Sequence, residues 1–343
     1  MIKIVLMGCG RIAKKHSEIL GGGHIKGAKL TGVCDVDVLK AKELAKKYNV
    51  PYFQNIRDAL QNVECDVVSI LTPSGLHGEN IIEVANYHKH IIVEKPMTLT
   101  EKDAEQVIDE CEKKNIKLFV VKQNRFNLPI IKLKEAIESQ KFGKLILATI
   151  RVRWARHQKY YDMDKWRGTL KLDGGVLSNQ ASHHLDLLEW MMGDIDSVYA
   201  KSMTALAKIE TEDTAVAILK FKNGGLGIIE ATTAARPNNI EGSISILGEK
   251  GTVVVGGIAV DKVITWRFEG EEEREDEIIK NFSNEVDHVY GVGHKLYYDH
   301  VINAMKNHKS FMIDGNEGKK SVRLINAIYE SVKTNKEVKI NNT

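Results

Sequence analysis

Lys95 stands in the tripeptide Glu94-Lys95-Pro96, directly after the apolar run His90–Val93. A lysine leaving the carboxyl end of a strand can donate to a hydroxyl or carbonyl oxygen, and a cation beside a reacting oxygen stabilises a developing alkoxide. Glu94 can position that lysine or touch a cofactor, and Pro96 restricts the turn. A surface salt bridge is the plainer reading of the tripeptide taken alone. A second group of residues lies in Asp173-Gly174-Gly175-Val176-Leu177-Ser178-Asn179-Gln180-Ala181-Ser182-His183-His184-Leu185-Asp186. Asn179 and His183 are four apart and share a face if the stretch is helical. An imidazole with an ordinary pKa can accept a hydroxyl proton near neutral pH. His183, His184 and Asp186 make a poor zinc set, because adjacent histidines diverge by about 100° on a helix; no metal is expected.

A glycine-rich turn, Gly8-Cys9-Gly10-Arg11-Ile12-Ala13, follows the first apolar run and opens a helical pattern. It fits G-x-G-x-x-G/A: Gly8 permits the tight turn, Gly10 lets backbone approach a pyrophosphate, and Ala13 lets helix pack on strand. The first-turn amides, including those of Arg11 and Ile12, then face the phosphates with the positive end of the helix dipole. Asp35 comes 22 residues after Ala13 and ends the second apolar run. An acid there binds adenosine ribose hydroxyls and repels a 2′-phosphate, which favours NAD over NADP. Leu71-Thr72-Pro73-Ser74 and His77 follow the next run and can line a ribose, although a simple turn accounts for them equally well.

These groups need elements to hold them. The short apolar runs Ile2–Met7, Leu30–Cys34, Val67–Leu71, His90–Val93 and Leu118–Val121 suit parallel strands covered on both faces. Helical patterns lie between them: Leu39, Leu44, Ala45 and Tyr48; Ile81, Val84, Ala85 and His88; Ala104, Val107, Ile108 and Cys111, the last opened by Thr100 and Asp103 as cap and N3. The alternation predicts an α/β Rossmann domain with a doubly wound parallel sheet over residues 1–123. Beyond a boundary near Lys122–Asn127, Ile150–Trp154 alternates strictly, and Val198–Thr204, Ala215–Phe221, Gly227–Thr232, Ser243–Leu247 and Thr252–Val255 read as further strands. Asn223-Gly224-Gly225 marks a hairpin. Helices are expected over Leu128–Ser139, Val176–Met192, Lys295–Lys306 and Gly318–Lys333. Residues 124–343 are therefore expected to form an α+β substrate-binding and oligomerisation domain with a mainly antiparallel, open-faced sheet. The acidic run Glu269–Glu277 reads as a solvated loop or hairpin.

Composition sets the outer limits. The 343 residues carry 43% hydrophobic side chains and a net charge of only +3, which excludes disorder and gives no support to a nucleic-acid partner. Cys9, Cys34, Cys65 and Cys111 have neither metal-ligand nor CxxC spacing, as expected of a reduced compartment. No apolar stretch approaches the roughly 18 residues that span a bilayer, and the N-terminal run is too short for a signal core, so a cytoplasmic chain without membrane attachment is expected.

In this order and spacing, the glycine turn, Glu94-Lys95-Pro96 and the Gly174–His183 stretch resemble the glucose-fructose oxidoreductase, inositol dehydrogenase and rhizopine-catabolism (Gfo/Idh/MocA) family of NAD(P)-dependent oxidoreductases over nearly the whole chain. The resemblance implies NAD as cofactor, work at the reacting carbon for Lys95 and His183, and a place among the cofactor contacts for Gln123. The family pattern has Asp where this chain has Asn179. An amide is neither acid nor base, so proton handling shifts to His183 and Lys95, and Asn179 becomes a hydrogen-bonding orienter. The stretch Asn179–His184, with Val121–Asn127, Trp166-Arg167-Gly168-Thr169 and Tyr290-Gly291-Val292-Gly293-His294, is similar to the bacterial branch that oxidises the C3 hydroxyl of UDP-N-acetylglucosaminuronate for surface polysaccharides. A homo-oligomer, dimer or tetramer, built through the second domain's sheet is also implied.

A UDP-sugar partner has local support. Between Arg151 and Arg167 stand Arg151, Arg153, Arg156, Lys159, Lys165 and Arg167 against Asp162 and Asp164, a net +4, with Trp154, Tyr160, Tyr161 and Trp166 interleaved. Arginines clamp a diphosphate or a uronate carboxylate bidentately, and rings stack on a base or sugar. Arg156, Tyr160, Trp166 and Arg167 are the expected substrate contacts, with Arg125 as a second anion contact beside Lys95, Asn179 and His183. A solvated strand edge followed by a packed loop is the bland alternative. Two other functions remain open: a dehydrogenase of another sugar or an inositol, and a non-catalytic NAD-sensing regulator.

Overall fold

The computed structural model describes residues 1–271, 274–284, 291–307 and 312–341. By contacts the chain forms two units, Met1–Val121 with His294–Val322, and Lys122–Gly293 with Arg323–Thr343. Residues 294–322, which the sequence reading placed in the second domain, thus group with the first unit. The reason is visible at the sheet edge, where Val120 N–H donates to Ile313 O at 3.1 Å and Phe119 bridges to Asp314.

The first unit begins β1 (Ile2–Met7), α1 (Arg11–Gly21), β2 (Ala28–Cys34), α2 (Val38–Tyr48), β3 (Tyr52–Phe53) and α3 (Ile56–Asn62). It continues β4 (Val67–Ile70), α4 (His77–Ala85), β5 (His90–Val93), α5 (Glu101–Lys113) and β6 (Leu118–Val120). The strands are parallel in the order β3-β2-β1-β4-β5-β6. The order reverses between β1 and β4, and ligands of open α/β sheets bind at the strand carboxyl ends beside such a reversal. Every apolar run read as a parallel strand is one; β4 is buried at all four positions, so its pattern could not alternate. The two-residue edge strand β3 and α3 had no such run. In α5 the expected cap is present, with Thr100 Oγ1 accepting from Asp103 N–H at 3.1 Å. In α2 the buried face is Ala41, Leu44 and Ala45, and Leu39, on the first turn after the Asp37 cap, points to solvent. His88 lies beyond the end of α4, with positive φ.

The second unit contains α6 (Leu128–Glu138), β7 (Leu145–Arg153), α7 (Gln158–Asp162), α8 (Gly175–Asn179) and α9 (Ser182–Met192). The strands β8 (Ile195–Met203), β9 (Thr214–Phe221), β10 (Leu226–Thr232), β11 (Glu241–Gly248), β12 (Gly251–Gly256) and β13 (Lys262–Phe268) follow, then α10 (Glu275–Phe282). α11 (Gly293–Lys306), α12 (Gly315–Thr334) and β14 (Val338–Lys339) complete the chain. The second sheet runs β13-β12-β11-β7-β10-β9-β8-β14, antiparallel among the described pairs except for β7 with β10. One face packs on apolar residues of α6, α8 and α9, including Leu133, Leu177, Leu185 and Leu188. The other face is open: Tyr199, Ile218 and Ile228, aligned across β8, β9 and β10, are all exposed. Asn223-Gly224-Gly225 closes the β9–β10 hairpin, Gly224 at φ +88° and Phe221 N–H donating to Gly225 O at 2.9 Å. The acidic run is loop and helix: α10 starts at Glu275, Glu271 pairs with Lys141 and Glu275 with Arg267. Glu272 and Glu273 lie outside the described residues, as does Tyr290 of the Tyr290–His294 motif.

All four cysteines are buried and unpaired. Burial pushes their thiols up, Cys9 and Cys111 to about 12 and Cys65 to about 11, and Cys34 higher still. No helix of the described residues is long and apolar enough to cross a membrane.

Candidate active site

In the first unit, the carboxyl ends of β1, β2, β4 and β5 carry the candidate residues. Gly8 has φ +100°, and a Cβ there would stand 2.8 Å from the Leu71 carbonyl carbon and oxygen, so glycine is required both for the conformation and for the close approach of the chain after β4. Gly10 is different: its φ is −74° and a Cβ would meet nothing within 4 Å. It caps α1 and, as a glycine, offers no side chain to the first-turn amides. An anion is the acceptor this helix end suits. Asp35 Oδ2 accepts from Cys9 N–H at 2.6 Å and Oδ1 from Asp37 N–H at 2.8 Å, so the acid after β2 also fixes the glycine turn. A helix N-terminus capped by glycine, an open Gly10 and a carboxylate after β2 fit a dinucleotide's pyrophosphate and ribose.

After β4, Thr72 Oγ1 donates to Asn80 Oδ1 at 2.7 Å, while Pro73 leads into a short helical turn at Ser74–Leu76. His77 is buried, and its ring nitrogens face Pro96 O at 2.7 Å and Thr72 O at 2.9 Å. Burial holds its pKa below the usual range against the pull of those carbonyls. His77 thus braces the ends of β4 and β5 against each other. Glu94 and Lys95 leave β5, with Glu94 buried, Lys95 half-buried and the Lys95–Pro96 peptide cis. Lys95 N–H donates to Glu94 Oε2 at 3.0 Å.

In the second unit, the expected continuous helix over Val176–Met192 is two helices, α8 and α9, broken at Gln180-Ala181. The Asn179 side chain turns back to donate to Asp173 Oδ1, and Ala181 N–H reaches Val176 O, five residues back, at 2.8 Å. Asn179 and His183 therefore do not share one regular helix face. Gly174 and Gly175 both have positive φ, and a Cβ on Gly175 would fall 2.1 Å from a Glu212 carboxylate oxygen. Glu212 Oε1 accepts from Leu177 N–H at 3.0 Å and from the Tyr329 hydroxyl at 3.1 Å. Burial pushes the Glu212 carboxyl up to about 7 despite those donors, and nearby Asp173 adds to the rise.

His183 opens α9, half-buried, its Nε2 3.0 Å from Gln123 Nε2. An amide N–H donating there fixes the imidazole proton on Nδ1, and the reversed amide, accepting from Nε2–H, leaves the lone pair on Nδ1. A buried ion cluster sets this contact. Asp186, three residues after His183, accepts from Arg125 Nε at 2.8 Å and from an Arg125 terminal nitrogen at 2.6 Å, and from Lys122 Nζ. The cluster thereby ties both flanks of Gln123 to the first turn of α9. Burial pushes the Asp186 carboxyl up, but the two cations outweigh it and hold it at about 2. The guanidinium expected to contact a substrate anion at Arg125 is committed to Asp186, with its carbon 4.7 Å from the Trp190 ring centroid.

The basic and aromatic segment of the second unit folds onto itself. Two guanidinium carbons lie near the Tyr160 ring, Arg167 at 4.5 Å and Arg156 at 5.2 Å from its centroid, and Arg167 donates to its hydroxyl at 2.6 Å. Arg167 is also 4.7 Å from the Trp166 ring and donates to Asp164 at 3.0 Å. Arg156 donates to Ala155 O and Asn239 Oδ1. Arg151 and Arg153 instead pair with Glu230, and Arg153 also with Glu241. Sequence reading brought Lys95, His183 and this cluster forward. It missed Asp173 and Asp186 as partners, although both lie inside the quoted stretch, and Glu212, which has no local signal.

Residues 2–122 match the family model described as oxidoreductase family, NAD-binding Rossmann fold, and residues 134–340 match the oxidoreductase family, C-terminal alpha/beta domain. The myo-inositol 2-dehydrogenase of Thermotoga maritima is 27% identical over 276 residues, 79% of this chain and 80% of its own. Among solved structures, the WlbA dehydrogenase from Bordetella pertussis in complex with NADH and UDP-GlcNAcA is 39% identical, with a TM-score of 0.91 over 99% of this chain and 98% of that one. The WlbA dehydrogenase from Chromobacterium violaceum, in complex with the same two ligands, is 40% identical, with a TM-score of 0.92 over 99% of this chain and 96% of that one.

Proposed function

We propose, from the premise that the chain belongs to the Gfo/Idh/MocA oxidoreductase family, that it oxidises the C3 hydroxyl of UDP-N-acetylglucosaminuronic acid to the 3-keto sugar. The observation that carries the substrate is the likeness, at 39% and 40% identity over 99% of the chain, to two dehydrogenases solved with NADH and UDP-GlcNAcA. Bound NAD supplies the hydride acceptor. The Gly8–Gly10 turn and the amides of Arg11 and Ile12 hold the pyrophosphate, and Asp35 takes the adenosine ribose. Leu71, Thr72, Pro73 and Ser74, braced by His77, shape the rim after β4, Gln123 completes the cofactor contacts, and Glu94 takes the first of its two readings, positioning Lys95. His183 receives the hydroxyl proton at a ring nitrogen as the carbon gives up its hydride, Lys95 Nζ donates to the same oxygen, and Asn179, held by Asp173, orients the sugar. Arg156, Tyr160, Trp166 and Arg167 take the anionic nucleotide-sugar groups. Arg125 acts from behind His183, through Asp186. The enzyme works in the cytoplasm, on the route to surface-polysaccharide sugars. It is a homo-oligomer, dimer or tetramer, paired through the open sheet face, and the exposed row Tyr199, Ile218 and Ile228 supports that interface.

The likeness to a myo-inositol 2-dehydrogenase makes an inositol the substrate to compare. NADH formation is expected with UDP-GlcNAcA and not with myo-inositol or glucose. Lys95→Ala and His183→Asn should each lower turnover by roughly 10²–10⁴-fold. A double variant within a few-fold of wild type would end the assignment.

A further inference from the structure

We propose that His294, together with His16 and Tyr298, positions Lys95 through the buried Glu94 carboxylate. This rests on the reading that Lys95 works at the reacting oxygen. The two oxygens of Glu94 do different things. Oε2 accepts the Lys95 backbone N–H at 3.0 Å, while Oε1 faces His16 Nε2 at 2.9 Å and His294 Nε2 at 3.7 Å. His16 Nδ1 meets the Tyr298 hydroxyl at 2.7 Å, which lies 3.3 Å from Ser69 Oγ. All of these groups belong to the first unit, and His16, Glu94, His294 and Tyr298 are at least nine-tenths buried. They come from four elements: β4, the end of β5, the second turn of α1, and α11, which presents His294 and Tyr298 one turn apart. The helix whose first turn suits a pyrophosphate and the backbone that carries Lys95 are therefore joined through one carboxylate.

Burial pushes the Glu94 carboxyl up, and the two imidazoles more than reverse that, holding it well below the usual carboxylate range. The Lys95 amide thus donates to an ionised acceptor, a bond about twice as strong as a neutral one. It pins the Lys95 main chain, and so fixes where the side chain starts. The donor atoms of His16, Glu94 and His294 all lie within 4.8 Å of one another, a set that can also hold a metal ion. The contacts of His16, hydrogen-bonded at both ring nitrogens, favour a proton-shared cluster.

The test is a double-mutant cycle on the full chain, with UDP-GlcNAcA and NAD as substrates. His294→Leu should lower kcat by about 10–100-fold, with NADH affinity, read by fluorescence titration, within about threefold of wild type. His294→Gln, which restores an N–H donor, should recover most of the loss. In a Lys95→Ala background, His294→Leu should cost less than about twofold, because both changes act on one group. Glu94→Gln goes through the same cycle and decides the matter if the leucine variant does not fold. An equal loss with and without Lys95 overturns the inference. So does wild-type turnover in His294→Leu, or an equivalent of tightly bound metal whose removal reproduces the His294→Leu loss. Wild-type turnover in Lys95→Ala itself takes down the assignment of Lys95 and this inference with it.

Discussion

Burial and hydrogen bonding oppose each other at Glu212, and burial wins, with the carboxyl pushed up from 4.5 to about 7. Between those values the native state holds a proton that the unfolded chain has released, so this group's contribution to stability falls as pH rises through that window and is at its worst above about pH 7. Glu212→Gln should therefore melt close to wild type near pH 5 and become the more stable protein above about pH 7.5, by up to about 3 kcal/mol. A melting difference independent of pH would show that Glu212 ionises normally. Asp186 is the reverse case, an ionised acid held by two buried cations. Asp186→Ala leaves Lys122 and Arg125 without their carboxylate, and denaturant unfolding should show a loss of about 3–5 kcal/mol; a loss under about 1 kcal/mol would mean that the cations reach water. Lys95, Asn179 and His183 were conspicuous in the sequence by residue type beside a strand end or a helical pattern, although the spacing of Asn179 and His183 does not put them on one helix face. Their partners were not, since Asp186 meets Arg125 and Lys122 across more than sixty residues and Glu212 meets Leu177 across 35.

At the scale of elements, the glycine turn separates two roles that look alike in the sequence. Gly8→Ala forces a Cβ against the Leu71 carbonyl at positive φ, and should lower stability by about 1–3 kcal/mol even without NAD. Gly10→Ala meets no protein atom and keeps an ordinary φ; it should cost under about 1 kcal/mol of stability yet weaken NAD binding, because the methyl stands where backbone must approach the pyrophosphate. Thermal unfolding without ligand and calorimetric titration with NAD check the pair, and equal stability losses would contradict this division. The parallel strands were readable because their apolar runs are short and continuous. The break between α8 and α9 was not, because Leu177, Leu185, Leu188 and Met192 keep helical spacing across it. At the break the Ala181 N–H reaches back five residues to Val176 O and the Asn179 side chain bonds Asp173, contacts on which apolar periodicity is silent.

On the whole molecule, the open sheet face carries the test of assembly. Ile218 is 61% exposed and lies in register with Tyr199 on one side and Ile228 on the other. On the proposed pairing, Ile218→Glu should sediment as a smaller species than wild type with turnover chemistry intact per folded chain, and a wild type that sediments as a monomer removes the interface. Local pattern marked the passage near residue 122 but could not show 294–322 grouping with the first unit, because that depends on Ile313 and Asp314 meeting β6 almost two hundred residues away. The buried sulfurs have a practical corollary. A thiol that stays protonated and shielded reacts poorly with maleimides and peroxides. A cysteine introduced at an exposed site such as Lys102 would then be the one thiol on the folded chain that a maleimide dye could reach, giving site-specific labelling with all four native sulfurs left in place.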